Sequence, residues 1–531
     1  MSKRLSIVAY AINGAGLGHL TRVIAILKWV RRLGRLASIY PDIYILTSSE
    51  ACALALTEGF AAFKIPSKTS IRESQIPKED YLRLARQWVW HSLGLIKPDI
   101  LLVDTFPGGS FGELLYALDG PGSKVFVNRA MKADFQAHIQ PLLNHYDKIL
   151  VPQEIGSQPT EFPAQITSKV KYLGPIMLRE RVELRSRNEA RKLLGIPENK
   201  LAVWITAGGG GDANAAIGLK NLVAKLLENK DLHLVVAAGP LYRGEPLRGE
   251  RVTWLTDFNV SENYLAIDFA FSAAGYNSFH ELLYCGVATA FYAQEKIADE
   301  QDRRIELAIK AGCALKLETN LQTVPIDSSL NETLAIFLNE DKRKQLSIAA
   351  QAYVSQNWAQ EAGLETLATK LTKASLLQVK ELGTAEFFHK INQYNLDCEL
   401  AYELLPVFGS AEFLDPDERQ TLFYQLFEES NISAEMTAKF YLLLAQKFAK
   451  PTNDFETEEL LESLIPIINQ LGKFQDEKAA LSFLKLLPNE RLASPQKVAK
   501  ELCQFLSKLY ETGDSLWRGI ALFNQSTNKN N

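Results

Sequence analysis

The chain has 531 residues, of which 47% are hydrophobic, with a formal net charge of −4 and an isoelectric point near 6.1. At roughly 150 residues per domain, this length predicts about three globular domains, and the weakly acidic charge disfavours nucleic acid as the main partner. The five cysteines are scattered without a CxxC pair, which indicates a reducing compartment and no zinc site.

Short apolar runs alternate with amphipathic stretches in the first third of the chain, a pattern typical of a parallel sheet with crossover helices. The predicted strands are Leu5–Ile12, Ile43–Thr47, Ile100–Asp104, Lys124–Asn128 and Lys148–Val151. The predicted helices include His19–Arg32, Ser49–Glu58 and Lys78–Leu93. We therefore predict a doubly wound, Rossmann-like α/β domain over residues 1–178.

A second run of the same kind follows a charged connecting stretch. Its predicted strands are Leu201–Thr206, Leu232–Ala238, Val252–Leu255, Asp268–Ser272 and Ala288–Tyr292. We predict a second Rossmann-like domain over residues 179–374. Ligands of such sheets bind beyond the carboxyl ends of the strands, so we expect the ligand site in the cleft between the two domains.

Residues 375–531 contain no predicted strand, and leucine, phenylalanine, glutamate and lysine recur there at helical spacing. We predict an all-helical accessory domain that could bind a protein partner, followed by a disordered polar tail. No run of 18 apolar residues occurs in the sequence, and we expect a cytoplasmic protein. The basic cluster "WVRRLGR" (29–35) allows peripheral contact with the inner face of a membrane, but a solvated helix face is the commoner origin of such a cluster.

Both predicted α/β domains carry a glycine cluster directly after their first strand. The clusters are Gly14, Gly16 and Gly18 in the first domain and Gly208, Gly209, Gly210 and Gly211 in the second. Glycine lets the backbone approach a ligand closely, and the following helix offers free N–H groups to an anion. Turn geometry alone can also require glycine, but two clusters at matching places favour a phosphate-bearing ligand.

His19 follows the last glycine of the first cluster, in the stretch "NGAGLGHLTR". The spacing departs from the dinucleotide fingerprint GxGxxG, which disfavours a nicotinamide enzyme. The dipole at the start of a helix disfavours a protonated ring, so that a neutral imidazole can accept a proton. His19 is therefore a candidate base, with a capping or packing role as the alternative.

The stretch "GAGLGHLTR", together with "SAAGYNSFHELLYCGVATAFYAQEKIADEQDRR" (272–304), resembles the two signature regions of GT-B glycosyltransferases, in particular family 28. That family includes the N-acetylglucosaminyltransferase that forms lipid II. The resemblance implies a site for a nucleoside-diphosphate sugar in the second domain. It assigns Glu281 to the ribose and the pair Asp299 and Gln301 to the sugar. The other donor-binding residues that it implies are Gly275, Asn277 and, near the diphosphate, Arg179.

Asp104 ends a predicted strand and faces the same cleft as His19. It could orient His19, act as the base itself or contact the acceptor; alternatively, it caps a helix near Gly109. The sequence contains one Asp-x-Asp, at Asp415 and Asp417, where Pro416 indicates a helix start. We therefore expect no metal site and no cofactor.

These features predict an inverting, metal-independent glycosyltransferase that moves a hexose-type sugar to an unidentified acceptor, and a UDP-sugar is the expected donor. A nucleotide-sugar hydrolase of the same fold is an alternative, because such an enzyme would use a similar histidine loop to activate water. A catalytically silent nucleotide-binding protein is another. Donor hydrolysis that no acceptor stimulates would favour the hydrolase, and absence of turnover would favour the binding protein.

Overall fold

The computed structural model of the chain describes residues 3–12, 17–36, 39–129, 138–208, 215–294, 300–317 and 327–371. The predicted helical region 375–531, including Asp415 and Asp417, lies outside the described residues. So do five of the predicted glycines and one predicted sugar-binding residue: Gly14, Gly16, Gly209, Gly210, Gly211 and Asp299.

The first sheet is built from parallel strands. They are β1 (Lys3–Ala11), β2 (Ile39–Thr47), β3 (Ala61–Lys64), β4 (Ile100–Asp104), β5 (Ser123–Val127), β6 (Lys148–Pro152) and β7 (Val170–Leu173). Their order is β3-β2-β1-β4-β5-β6-β7, so the direction of winding reverses between β1 and β4. Ligands of open α/β sheets bind at such a switch point, beyond the carboxyl ends of the two strands.

The second sheet repeats this design. Its strands are β8 (Leu201–Thr206), β9 (Leu232–Ala237), β10 (Val252–Leu255), β11 (Phe269–Ala273), β12 (Ala288–Tyr292) and β13 (Leu315–Lys316). All pair in parallel in the order β10-β9-β8-β11-β12-β13, with the reversal between β8 and β11. The prediction of two Rossmann-like domains is thereby confirmed.

Helices cover the faces of both sheets. In the first domain they are α1 (Gly18–Leu36), α2 (Ala53–Thr57), α3 (Lys68–Glu73), α4 (Lys78–Ile96) and α5 (Ala164–Thr167). They continue with α6 (Arg187–Leu193), α7 (Ala215–Leu226), α8 (Tyr276–Tyr284), α9 (Gln301–Lys310), α10 (Asp327–Leu338), α11 (Glu340–Tyr353) and α12 (Ala359–Leu367). Short 3-10 turns occupy Leu115–Ala117, Gln140–His145, Arg181–Glu183 and Val260–Ala266.

The ten predicted strands are present, and three further strands were missed. The missed strands β3, β7 and β13 all lie at sheet edges, where side chains are largely exposed or half-buried. An edge strand needs no continuous apolar run, so its sequence lacks the pattern that marks β4 or β11. The helix predicted at Ser49–Glu58 is shorter than expected, since only Ala53–Thr57 is helical.

The last described helix returns to the first domain. In α12, Gly363 packs so closely on α1 that an added Cβ would lie 2.7 Å from Cβ of Trp29. Lys148 of β6 forms a 2.8 Å ion pair with Glu365 of the same helix. The end of the stretch predicted as the second domain, residues 179–374, therefore lies against the first sheet.

The contact with α12 changes the interpretation of the basic cluster at residues 29–35. Trp29 is 2% exposed and Arg32 is 3% exposed, so neither offers a surface to lipid or to solvent. Arg32 pairs with Glu183, and Lys28 pairs with the same carboxylate at 3.0 Å. For Trp29 and Arg32 the expectation of a membrane-facing or solvated face is wrong, because α12 covers α1 at this point. Peripheral membrane contact of the protein stays a prediction. In the described part of the chain, no helix has the length and apolar character needed to cross a membrane.

Glu180 lies in the same buried network and has an unusual environment. It accepts hydrogen bonds from Nε1 of Trp29 at 3.0 Å, from Nδ2 of Asn357 at 2.8 Å and from the hydroxyl of Tyr284 at 3.2 Å. Burial, together with the negative charge of Glu183, raises the pKa of Glu180 to about 7. Its charged form therefore destabilises the folded chain at alkaline pH.

We expect Glu180→Gln to stabilise the fold at pH 8 by about 1–2 kcal/mol. The native carboxyl keeps its proton up to about pH 7, whereas an unfolded glutamate loses it near pH ~4.3. Stability is therefore lost as pH rises through this window, and the neutral amide avoids that loss. Denaturant unfolding at pH 8 and pH 5 measures the difference, which should shrink at pH 5.

The neighbouring variant Glu183→Gln is the matched control for that measurement. Burial alone would raise the pKa of Glu183, but the cations Arg32 and Lys28 hold it well below its usual range. Removing this charge should destabilise the chain at pH 8. A Glu180→Gln protein that is also less stable at pH 8 would contradict the assignment of a destabilising charge.

Candidate functional site

The switch point of the first sheet brings His19 and Asp104 together. His19 is the second residue of α1, which follows β1, and Asp104 is the last residue of β4. Because β1 and β4 are neighbouring parallel strands, their carboxyl ends open onto the same edge. Nδ1 of His19 lies 2.6 Å from Oδ2 of Asp104.

The carboxylate of Asp104 is completely buried and accepts several hydrogen bonds. Arg22 donates from Nε to Oδ1 at 2.8 Å and from Nη2 to Oδ2 at 2.9 Å. The hydroxyl of Thr105 donates to Oδ2 at 2.8 Å. Burial alone would raise the pKa of Asp104, but Arg22 and His19 hold it well below its usual range. Asp104 is therefore ionised and fixed in position.

Thr105 has an unfavourable backbone conformation at this point, with φ at +65°. A β-branched residue rarely adopts the left-handed region, and such strain costs about 1–3 kcal/mol. The conformation lets the Thr105 amide donate to the carbonyl of Val127 at 3.0 Å while its hydroxyl reaches Asp104. Strained backbone beside a buried carboxylate is typical of a functional site.

The position of His19 suits proton transfer. Its side chain is 13% exposed, and its ring lies 5.8 Å from the ring of Phe106. Because the ionised Asp104 can only accept, Nδ1 carries the proton and Nε2 keeps its lone pair. Burial lowers the pKa of His19, the contact with Asp104 opposes this shift, and the cations Arg22 and Arg129 reinforce it. The ring is therefore neutral near pH 7.

The loop after β4 is held by a different carboxylate, that of Glu113. It accepts hydrogen bonds from the amides of Ser110 at 2.9 Å and Phe111 at 2.6 Å, and from the hydroxyl of Tyr10 at 2.5 Å. Tyr10 belongs to β1, so Glu113 ties this loop to the strand that precedes His19. The alternative role of Asp104 as a cap near Gly109 is not observed, because Glu113 binds these amides.

In the second domain, the turns after β8 and β11 lie side by side. Gly208 follows β8 with φ at +93°, and Gly275 precedes the first residue of α8 with no capping side chain. An added Cβ at either glycine would meet no atom of the described residues within 4 Å. The first N–H groups of a helix have no partner within the helix, so this turn suits an anion. Asn277 is half-buried in the first turn of α8.

Glu281 lies further along α8, at the edge of the segment that connects the two sheets. Burial raises the pKa of its carboxyl to about 7, while a backbone hydrogen bond from Leu178 and the charge of Arg179 act in the opposite direction. A half-buried carboxyl at this place, six residues after Gly275, can accept hydrogen bonds. Its role toward a ribose stays a prediction.

Arg179 and Gln301 have partners within the chain. Arg179 binds Glu58, Glu262 at 3.0 Å and Asn259 at 3.1 Å, so its charge is already balanced by carboxylates. The side-chain oxygen of Gln301 accepts a hydrogen bond from the Gln294 amide at 2.9 Å. Their predicted contacts with diphosphate and sugar stay predictions.

Several residues at the two switch points were not predicted as functional: Arg22, Thr105, Glu113, Arg129, Glu154, Tyr276, His280 and Arg304. Arg22 carried a usable signal, because it stands three residues after His19 and therefore on the same helix face. The others depend on contacts between distant segments. Among the described residues, no group of three or more histidine, cysteine, aspartate or glutamate side chains could hold a metal ion.

No protein-family model and no curated protein matches the chain. Among solved structures, it is similar to the glycotransferase of kitacinnamycin, with 14% identity, a TM-score of 0.47 and coverage of 68% of this chain and 98% of that one. It is also similar to MurG of Acinetobacter baumannii, with 16% identity, a TM-score of 0.45 and coverage of 70% and 100%, respectively. A third is the spinosyn rhamnosyltransferase SpnG in complex with thymidine diphosphate, with 14% identity, a TM-score of 0.46 and coverage of 67% and 98%.

The structures that resemble the chain are GT-B glycosyltransferases. At such identities and with TM-scores below 0.5, the likeness says nothing about activity. The two-domain α/β fold is established independently by the topology of the two parallel sheets.

Proposed function

We propose that the chain is a glycosyltransferase that moves a sugar from a nucleoside diphosphate to an acceptor hydroxyl, with inversion and without a metal ion. The observation that carries this proposal is the 2.6 Å contact between His19 and the buried, ionised Asp104 at a sheet switch point. A histidine oriented by a carboxylate is a general arrangement for a base at neutral pH.

In this mechanism, Nε2 of His19 takes the proton of the acceptor hydroxyl as that oxygen bonds to the anomeric carbon. The bond between the anomeric carbon and the phosphate oxygen breaks, and the diphosphate leaves with the electron pair. A single displacement of this kind inverts the anomeric centre. Asp104 holds the tautomer and stabilises the imidazolium that forms.

The second domain would hold the donor. The backbone N–H groups at the start of α8 would face the diphosphate and stabilise its charge as it leaves, whereas the N–H of Gly208 already donates to the hydroxyl of Thr206 at 3.1 Å. Asn277 and Gln301 would contribute polar contacts, and Glu281 would bind the ribose. We propose a UDP-sugar as the first donor to test, together with a dTDP-sugar.

The contacts of Asp104 distinguish among its three possible roles. Its two oxygens accept hydrogen bonds from His19, Arg22 and Thr105. A carboxylate that is fully buried and held at low pKa is a poor proton acceptor. These contacts favour an orienting role over the two alternatives, in which Asp104 is the base or contacts the acceptor.

The proposal is tested in two steps, with the full chain throughout. Thermal unfolding is first measured with UDP, dTDP and a panel of their sugars, because a ligand at 100 times its Kd stabilises by about 2.7 kcal/mol. Nucleoside diphosphate release is then followed in EDTA, with and without cell-extract acceptors. Release that acceptors stimulate is expected; equal release without them would indicate a hydrolase, and absence of nucleotide binding would contradict the proposal.

We expect Glu281→Ala to weaken UDP binding by about 1.5–3 kcal/mol, or roughly 10–150-fold, without changing the fold. Wild-type affinity should also fall as pH drops below about 7, since protonation of Glu281 removes the stronger acceptor. Calorimetric titration at pH 6 and pH 8 measures both effects, and the variant should lose this part of the pH dependence.

The control for that titration is Glu180→Gln, which alters another buried carboxyl with a pKa of about 7. Glu180 bonds to Trp29, Asn357 and Tyr284 and not to the glycine turns. Its replacement should leave the affinity for UDP unchanged. Unaltered affinity in Glu281→Ala would remove Glu281 from the donor site.

A further inference from the structure

Tyr276 lies between the glycine turn at Gly275 and the pair formed by His19 and Asp104. It is the first residue of α8, directly after Gly275, and its ring is buried. Its hydroxyl accepts a hydrogen bond from the amide of Ile176 at 3.1 Å, which fixes the ring against the segment between the sheets. A tyrosine at this place is attached to the donor turn and reaches toward the first domain.

The Tyr276 ring is contacted by the guanidinium group that holds Asp104. Cζ of Arg22 lies 5.3 Å from the ring centroid, within the range of a cation–π contact. The same guanidinium donates two hydrogen bonds to Asp104, which in turn contacts His19. Tyr276, Arg22, Asp104 and His19 therefore form a continuous chain of contacts from the donor turn to the candidate base.

A second cation near the Tyr276 ring is held by a carboxylate of the first domain. Cζ of Arg304 lies 5.7 Å from the ring centroid, and Nε of Arg304 donates to Oε1 of Glu154 at 2.9 Å. Oε2 of Glu154 lies 3.1 Å from Nε2 of His280, whose Nδ1 contacts the carbonyl of Tyr276 at 2.8 Å. Glu154 follows β6, so a carboxylate of the first domain holds the guanidinium of Arg304 beside the ring of Tyr276.

We infer that Tyr276 is a positioning residue that holds Arg22 against Asp104 and so couples the geometry of the donor turn to His19. The effect of Tyr276 on catalysis rests on the proposed function. The contacts from Tyr276 through Arg22 and Asp104 to His19 do not depend on it. Without the ring, Arg22 would lose its packing partner and water would reach the dyad.

The pKa of His19 is the quantity that should change when the contact between Tyr276 and Arg22 is lost. Among the described residues, the charged groups that act on His19 are Asp104, Arg22 and Arg129, with Phe106 near its ring. Burial and the two arginines lower the pKa of His19, so loosening Arg22 and admitting water should both raise it toward its ordinary value of about 6.5. The shift therefore has a defined direction.

The test is an NMR titration of the His19 ring in the full chain labelled at histidine, with the resonance assigned by its absence from His19→Gln. In Tyr276→Leu the midpoint should rise by at least half a pH unit relative to wild type. Tyr276→Phe keeps the ring and should titrate like the wild type. Tyr284→Leu is the matched control, because Tyr284 lies on the same helix and packs against Arg181, with Cζ at 4.2 Å from its ring centroid.

An unchanged His19 midpoint in Tyr276→Leu, or an equal shift in Tyr284→Leu, would overturn the inference. Thermal unfolding of each variant identifies any that fails to fold. If Tyr276→Leu does not fold, a shifted His19 midpoint in Tyr276→Phe, which keeps the ring, overturns the inference. If transfer activity is found, kcat of Tyr276→Leu should fall about 10-fold or more, with UDP affinity changed less than threefold. Because the titration needs no turnover, its result is independent of the proposed function.

Discussion

Replacement of His19 by alanine is expected to lower turnover by about 10²–10⁴-fold, the usual loss when a general base is removed. Affinity for the nucleotide sugar should hardly change, because the donor is proposed to bind mainly to the second domain. Steady-state kinetics and calorimetric titration with the same donor measure the two quantities separately. A lower kcat with an unchanged Kd would support His19 as the general base. Normal turnover by His19→Ala would contradict that role.

The pH dependence of turnover provides a second measurement on the same residue. The base must be neutral, so kcat/KM should fall as pH drops through the pKa of His19. Burial lowers that pKa, so the midpoint of the fall should lie below the ordinary histidine value of about 6.5. A midpoint clearly above this value would contradict the buried environment that the structure gives His19.

Replacement of Asp104 by asparagine should also lower turnover strongly, but by less than His19→Ala. The amide cannot enforce the tautomer in which Nδ1 carries the proton, yet His19 remains able to accept a proton in part of the molecules. Kinetics of the two variants under one set of conditions give the comparison. A greater loss in Asp104→Asn than in His19→Ala would transfer the role of base to Asp104.

The same substitution should destabilise the chain, because it removes the carboxylate that forms a buried ion pair with Arg22. Breaking a buried pair by removing one partner typically costs about 3–5 kcal/mol. The double variant Asp104→Asn/Arg22→Gln separates the loss of the Asp104 carboxylate from the cost of a buried Arg22 charge, because it removes that charge as well. Denaturant unfolding should show a smaller loss in the double variant than in Asp104→Asn.

The central strands of both sheets were predictable because they are buried on both faces. Strands such as β4 and β11 are continuous apolar runs, and such runs in alternation with helical periods indicate a parallel sheet. The edge strands β3, β7 and β13 lack such a run and were not recognised, although the fourth edge strand, β10, was predicted as Val252–Leu255. Packing partners, not local pattern, decide their structure.

The environment of α1 shows a second limit of sequence reasoning. Charged residues such as Lys28 and Arg32 ordinarily indicate a solvated face, but here they are buried against carboxylates from distant segments. The helix α12, which covers α1, is separated from it by more than three hundred residues of sequence. No local pattern could indicate that a helix from the end of the described chain would return to the first sheet.

At the candidate site, the proximity of His19 and Asp104 followed from topology, because each lies at the carboxyl end of a neighbouring strand. The topology does not decide among the possible roles of Asp104. That choice depends on the hydrogen bonds from the guanidinium of Arg22 and on the strained backbone of Thr105. The contacts of Arg179 with Glu58 and Glu262 could not be predicted from the sequence either, because these residues lie far apart along the chain. Pairings between segments decide these environments.

The most direct test of the account is transfer of a labelled sugar from UDP- and dTDP-sugars to acceptors in a cell extract, in EDTA, with wild type and His19→Ala in parallel. We predict labelled product with the wild type, and a rate lower by about 10²–10⁴-fold with His19→Ala, although that variant binds the same donor. Equal rates for the two proteins, or transfer that EDTA abolishes, would contradict a metal-independent transfer in which His19 is the base.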